Sequence, residues 1–264
     1  MSWGMRNRLS KIIKPSTGRT VMLAVDHGYF MGPTTGLEKL HEMVKPLLPH
    51  ADVLMPTRGA LRNYIPPETD VPIVLRVSGG TSILNKENLL HEGVTVSMED
   101  AIRLNVAGVA FSIMVGAKFE RDTLLAFTQV IDEAERYAIP VLAVTAVGRE
   151  MVRDAKYMAL ASRIAAELGA RMVKTYYVEG FEKVVESCPV PIVIAGGKKI
   201  PEKDALTMAY NAIQAGAVGV DMGRNIFQSE DPVAMIQAVR AVVHEEATPE
   251  EAFELFITLK EKKD

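Results

Sequence analysis

The sequence predicts a single (β/α)8 barrel, the TIM-barrel architecture, on three observations: a length suited to one such domain, eight short β-branched apolar runs, and segments of helical period between them. The chain has 264 residues, 48% hydrophobic and 24% charged, enough to bury a large core within one domain, 1–264. Short Val/Ile/Leu-rich runs alternating with amphipathic stretches indicate parallel strands joined by helical crossovers. A doubly wound open sheet is the competing arrangement, but no early GxGxxG fingerprint accompanies the first strand.

Taken in order, residues 1–19 read as an N-terminal extension. Strands are expected at Thr20–Asp26, Ala51–Pro56, Ile73–Val77, Gly108–Met114, Pro140–Thr145, Met172–Tyr177, Pro191–Ala195 and Val218–Met222. Each ends beside Gly, Pro or a polar residue, the chemistry of a chain reversal. Arg121–Tyr137 and Asp154–Leu168 repeat apolar residues every three or four positions and can cover the outside of the sheet. Leu168-Gly169-Ala170 and Ala215-Gly216-Ala217 place glycine where a helix stops and a strand begins. Ser82–Met98 reads as an irregular insertion after the third strand, and 240–264 as a C-terminal helical tail with a solvated end.

Composition narrows the function. With 30 basic and 33 acidic residues the formal net charge is −3, so the chain lacks the basic field that a nucleic-acid backbone or an anionic membrane surface requires. Cys188 is the lone cysteine, which excludes an internal disulfide and fits a reducing compartment. Met1–Arg6 is not a basic segment leading into an apolar one, and no run of about 18 apolar residues follows. A cytoplasmic enzyme with a small-molecule partner is expected, with neither nucleic acid nor membrane. The 14 methionines are scattered through apolar segments, as core fillers are.

In a (β/α)8 barrel the chemistry sits at the C-terminal ends of the strands, so polar residues that close an apolar run are the informative ones. Asp26 follows Val21-Met22-Leu23-Ala24-Val25 on the face of Met22 and Ala24. Lys174 follows Met172-Val173 and shares a face with Tyr176, and Thr145 closes Val141-Leu142-Ala143-Val144. Burial in an apolar surround favours the neutral form of an amine, which alone attacks a ketone to form an imine. The bland alternative pairs Lys174 with Asp26 as a structural ion pair.

Ala195-Gly196-Gly197-Lys198-Lys199 and Asp221-Met222-Gly223-Arg224-Asn225 end the seventh and eighth strands, where barrels commonly bind phosphate through bare glycine N–H groups. Gly196, Gly197 and Gly223 are therefore candidates for that contact, with Arg224 adding a charge-assisted bond. His27 beside Asp26 could meet substrate, as could Arg58, Arg76 and Arg149 near strand ends, although ion pairing is the expected role of at least two of the arginines. No spaced His/Asp/Glu set accompanies His27, and imine chemistry needs none, so no metal is expected.

Thr20–Gly28, Val173-Lys174-Thr175-Tyr176-Tyr177, Ala195–Lys198 and Gly223-Arg224-Asn225-Ile226-Phe227-Gln228 resemble the archaeal-type class I fructose-bisphosphate aldolases. Trp3-Gly4-Met5, Tyr29-Phe30, Gly32–Glu38 and Met151-Val152-Arg153-Asp154 are similar to a branch of that family that cleaves a phosphorylated dione and passes acetyl to coenzyme A. The likeness runs from Trp3 to about Phe256. It implies Lys174 as the imine-forming lysine, Asp26 as a catalytic acid or base, and Gly197, Gly223 and Arg224 at the phosphate. It further implies no bound cofactor, coenzyme A as acceptor co-substrate, and a homo-oligomer, often a decamer. One departure stands out: the aldolases carry a tyrosine acid in a Trp-x-Tyr-Pro-Arg-Gly stretch, where this chain has Ala143-Val144-Thr145-Ala146-Val147-Gly148. Two other readings stay open: an aldolase or sugar-phosphate synthase using the same lysine, and a non-catalytic sugar-phosphate sensor.

Overall fold

Period-two alternation divides each strand's side chains between two faces, and a computed structural model, which describes residues 1–89, 91–145 and 153–262, shows what each face meets. The strands are β1 (Thr20–Ala24), β2 (Val53–Met55), β3 (Val74–Arg76), β4 (Gly108–Ile113), β5 (Val141–Thr145), β6 (Met172–Tyr176), β7 (Ile192–Ala195) and β8 (Gly219–Met222). They run side by side in the order β2-β1-β8-β7-β6-β5-β4-β3. The ring is completed between β2 and β3 by the parallel bridge Leu54–Ile73 and by the hydrogen bond from Arg76 N to Pro56 O at 2.9 Å. Each observed strand lies inside its expected span, shorter at one or both ends. β1 stops at Ala24, so Asp26 stands on the loop beyond it.

The inward face makes one apolar cluster: Met22 and Ala24 of β1, Val53 and Met55 of β2, then Val74, Ala110, Leu142, Met172 and Val193. Ile12 joins it from below, because the N-terminal extension contains a helix, Trp3–Ile12, whose Leu9 and Ile12, with Ile13 just after it, close the N-terminal end of the barrel. The alternate residues, such as Val21, Leu23, Leu75, Phe111, Ala143, Val173 and Ile194, belong to a second cluster that also takes in the apolar stripes of the surrounding helices. Both faces of every strand are thus covered, as a parallel sheet requires.

The two helices placed from their periodicity run over Glu120–Arg136 and Ala155–Glu167. Asp154 caps the second by accepting from Tyr157 N at 2.8 Å, and Gly169 and Gly216 take positive φ (107° and 100°) where their helices turn back to strands. Within the Ser82–Met98 insertion, Gly93–Val94 pairs antiparallel with Ser78–Gly79, which brings Glu92 to the mouth of the barrel. At the opposite end, buried Asp52 accepts from Val21 N (2.7 Å), His244 Nε2 (2.6 Å) and Arg240 Nη1 (3.0 Å), and so ties the helix Pro232–Glu245 to β1. No helix among the described residues is long and apolar enough to cross a membrane.

Candidate active site

The mouth of the barrel holds a cavity of about 230 Å³. Lys174 points into it because it shares the inward register of Met172, between Val144 of β5 and Val193 of β7. The cavity is walled by Asp26, His27, Thr145 and Tyr176, and by Gly196, Gly197, Gly223 and Arg224, so nearly all of the candidate side chains converge there. Arg58 does not. It heads the helix Arg58–Tyr64 and pairs with Asp100 Oδ2 at 3.1 Å, while Arg62 pairs with Oδ1 of the same carboxylate at 2.6 Å, so its expected contact with substrate is replaced by structural pairing outside the cavity. Arg149, Met151 and Val152 lie outside the described residues.

The ion pairs differ from the simple expectation. Lys174 Nζ stands 3.0 Å from Asp221 Oδ2, whereas Asp26 Oδ2 accepts from Arg76 Nε at 2.8 Å. The structural pairing considered for Lys174 and Asp26 is therefore replaced by two pairs with other partners. Arg76 is itself held by Ser112 Oγ (2.7 Å) and Ser78 Oγ (3.3 Å), and its guanidinium stacks 5.2 Å from the centre of the Tyr29 ring. Ser78 Oγ and Tyr29 Oη both donate to Glu92, at 2.6 and 2.7 Å. This buried network links the loop after β1, β3, β4 and the insertion on one side of the cavity.

Asp26 and Asp221 are thereby driven apart in acidity. Burial alone would raise Asp26, but Arg76 first, then His27 and Lys174, outweigh it and hold the carboxyl below its ordinary 3.8. Burial also acts on Asp221, and there Lys174 opposes the effect without cancelling it, so the carboxyl is raised. His27 is pushed down to about 4 by burial against the pull of Asp26, so its ring is neutral near pH 7. It sits edge-on to Phe227 and its Nδ1 is 3.9 Å from Asp26 Oδ1. Burial likewise lowers Arg224, whose Nε has no hydrogen-bond partner and which joins no ion pair among the described residues.

The glycine loops are shaped for close approach. Gly197 takes φ 70°, a conformation that a side chain would strain, and it has open space before it. A Cβ on Gly223 would stand 2.4 Å from the carbonyl oxygen of Ala24 and 2.5 Å from the His27 ring. Asn225 fastens the two loops together, donating to Gly196 O (2.6 Å) and accepting from Ile200 N (2.9 Å). Thr145 lines the cavity, but its hydroxyl donates to Thr175 Oγ1 at 2.8 Å, which leaves it a wall more than a reagent. The Tyr176 ring lies beneath Arg153, 4.0 Å from its guanidinium carbon. The cavity thus brings together a buried amine, a guanidinium that joins no ion pair among the described residues, and two glycine loops, the side chains that an imine-forming barrel acting on an anionic substrate would need.

Residues 20–229 match the family model described as DeoC/LacD family aldolase, and the chain belongs to that family. The chain is 57% identical over 262 residues, 99% of its length and 89% of the relative's, to the 3-hydroxy-5-phosphonooxypentane-2,4-dione thiolase of Photorhabdus laumondii. It is 55% identical over the same number of residues to the protein of that name from Escherichia coli strain K12. Among solved structures it is similar to an archaeal fructose 1,6-bisphosphate aldolase, with TM-score 0.80 and 25% identity, covering 91% of this chain and 99% of that one. A Schiff-base-forming fructose-1,6-bisphosphate aldolase gives TM-score 0.80 and 26% identity over 90% of this chain and 99% of that chain.

Asp221 and the Arg76–Ser78–Glu92–Tyr29 network were not picked out by motif. Asp221 did carry a signal: it interrupts Val218-Gly219-Val220-Asp221-Met222 just as Lys174 interrupts its own strand, with the side chain in the inward register. Reading that string as a glycine loop hid the carboxylate.

Proposed function

We propose that this chain cleaves the C2–C3 bond of 3-hydroxy-5-phosphonooxypentane-2,4-dione through an imine on Lys174 and passes the acetyl group to coenzyme A, giving dihydroxyacetone phosphate and acetyl-CoA. The observation that carries this reading is the presence, within one cavity, of a buried amine and of the Arg224 guanidinium, which joins no ion pair among the described residues, beside the two glycine loops. A phosphorylated ketone satisfies both ends at once. Identity of 57% over 99% of the chain to a thiolase of this dione supports the choice of substrate and acceptor.

Gly197, Gly223 and Arg224 hold the phosphate, and Lys174 condenses with the C4 carbonyl. The iminium is then the electron sink when the thiol attacks the C2 carbonyl: the C2–C3 pair moves to C3–C4, acetyl leaves on sulfur, and an enamine remains. Addition of a proton at C3 and hydrolysis release dihydroxyacetone phosphate. Asp26, held anionic by Arg76, orients the water or hydroxyl groups on this side and favours the cationic iminium. His27 is neutral and can donate a hydrogen bond to the substrate without adding charge.

The second reading, an aldolase working through the same lysine, draws on the likeness to fructose-bisphosphate aldolases. Incubating the dione with the protein, with and without coenzyme A, separates the two. Equal amounts of acetyl-CoA and dihydroxyacetone phosphate formed only with coenzyme A support the thiolase. Cleavage independent of coenzyme A moves the assignment to the aldolase, and full activity in Lys174→Ala contradicts both.

A further inference from the structure

Three carboxylates line the cavity: Asp26 is bound to a guanidinium, Glu92 accepts from Ser78 and Tyr29, and Asp221 has neither kind of partner. Asp221 is fully buried, and its one close polar neighbour among the described residues is Lys174 Nζ at 3.0 Å; no backbone N–H, hydroxyl or guanidinium donates to either oxygen. Its strand position explains this. Asp221 is level with Ala195 of β7, which in turn is level with Tyr176, so it stands two residues nearer the mouth than Lys174, and the long lysine side chain rises to meet it. A carboxylate fixed by a guanidinium gives up its charge with difficulty. One that faces only an amine can take a proton from it.

We propose that Asp221 is the acid–base residue of imine formation and hydrolysis, exchanging a proton with Lys174 and with the departing oxygen of the ketone. This rests on the reading of Lys174 as the imine lysine, and it fills the role left open by the missing family tyrosine. A proton passes from the Lys174 ammonium to Asp221, leaving a neutral amine beside a carboxylic acid. The amine adds to the carbonyl carbon, the C=O π pair moves to oxygen, and Asp221 gives its proton to that oxygen while regaining one from nitrogen. From the resulting carbinolamine, Asp221 protonates the hydroxyl, the C–O bond breaks, water leaves, and the nitrogen lone pair forms the C=N bond. Asp221 is left as a carboxylate beside the iminium. In hydrolysis the carboxylate removes a proton from the attacking water. The direction in which burial moves this carboxyl, upward, agrees with a group that takes a proton more readily than an ordinary carboxylate does.

The test is the rate at which borohydride-trapped adduct accumulates with dihydroxyacetone phosphate, read by intact mass, in the wild type, Asp221→Asn and Asp221→Ala. Loss of a general acid–base predicts a rate lower by about 100-fold or more in both variants. Affinity for inorganic phosphate should stay within about twofold, because the anion pocket is built from other residues. Formate, entering the space opened in Asp221→Ala, should restore the rate by about 10-fold or more, which a merely structural carboxylate would not allow. The Ala variant carries the test if the Asn variant does not fold. A folded variant that traps at the wild-type rate overturns the assignment, as does loss of phosphate affinity in step with the rate, or failure of formate to act. If the wild type itself yields no adduct on Lys174, the imine reading fails instead, so the two failures are distinct.

Discussion

Replacing Arg76 by methionine removes the guanidinium that keeps Asp26 ionised while filling most of its volume. Arg76 is 5% exposed, and it is the sole partner donating to the Asp26 carboxylate at hydrogen-bond distance among the described residues; His27 is next, at 3.9 Å. Breaking a buried pair from one side costs about 3–5 kcal/mol, because the remaining charge is left in a poorly solvated site. The loss depends on pH with a sign that the structure fixes. In the wild type Asp26 lies below its ordinary value of 3.8, so its contribution to stability is complete above that value and is lost as pH falls through the lower folded value. Without Arg76 burial dominates and the carboxyl rises, so the variant becomes relatively more stable as pH falls and Asp26 is protonated. Urea unfolding of both proteins at about pH 8 and about pH 5 reads the difference directly. The gap should be about 3–5 kcal/mol at the higher pH and should narrow at the lower one. A gap below about 1 kcal/mol, or one that is constant across that range, would refute the claim that Arg76 holds Asp26 as an anion.

Arg224→Met should weaken binding of inorganic phosphate and of dihydroxyacetone phosphate by about 10- to 100-fold, the value of one charge-assisted contact, with little change in unfolding free energy, since Arg224 joins no ion pair among the described residues; titration calorimetry reads it. At the other end of the barrel, Asp52 is held down to about 2, since His244, Val21 N and Arg240 together outweigh its burial. Its contribution is present above its ordinary 3.8 and is lost as pH falls toward about 2. Asp52→Asn should therefore cost about 2–4 kcal/mol at neutral pH, with a gap to the wild type that shrinks below about pH 3.5 in urea titrations and with the activity assay left unchanged.

The fold was legible because each barrel strand declares itself twice, by β-branched composition and by alternation. Met22 and Ala24 turn in while Val21 and Leu23 turn out, and that same register carried Lys174 to the cavity. The glycines after β7 and β8 were legible because close approach and positive φ restrict the residue type. Pairing was not legible. Which carboxylate faces Lys174 depends on the closing of the ring, which sets β6 and β8 on either side of β7, and a linear string gives no distance between them. Arg76 looked like one of three equivalent arginines until Ser78, Ser112 and Asp26 surrounded it. Arg58 looked the same and turned to Asp100, on a helix that periodicity alone does not connect to it. Glu92 came from the stretch with no regular pattern, and it reached the mouth through the short ribbon with Ser78–Gly79.

The central claim is the covalent one, and borohydride trapping with dihydroxyacetone phosphate, followed by peptide mass spectrometry, tests it most directly. A reduced adduct located on Lys174, and absent in Lys174→Ala, is the predicted result. Phosphate-ketone binding without any adduct, or an adduct on another lysine, would contradict it.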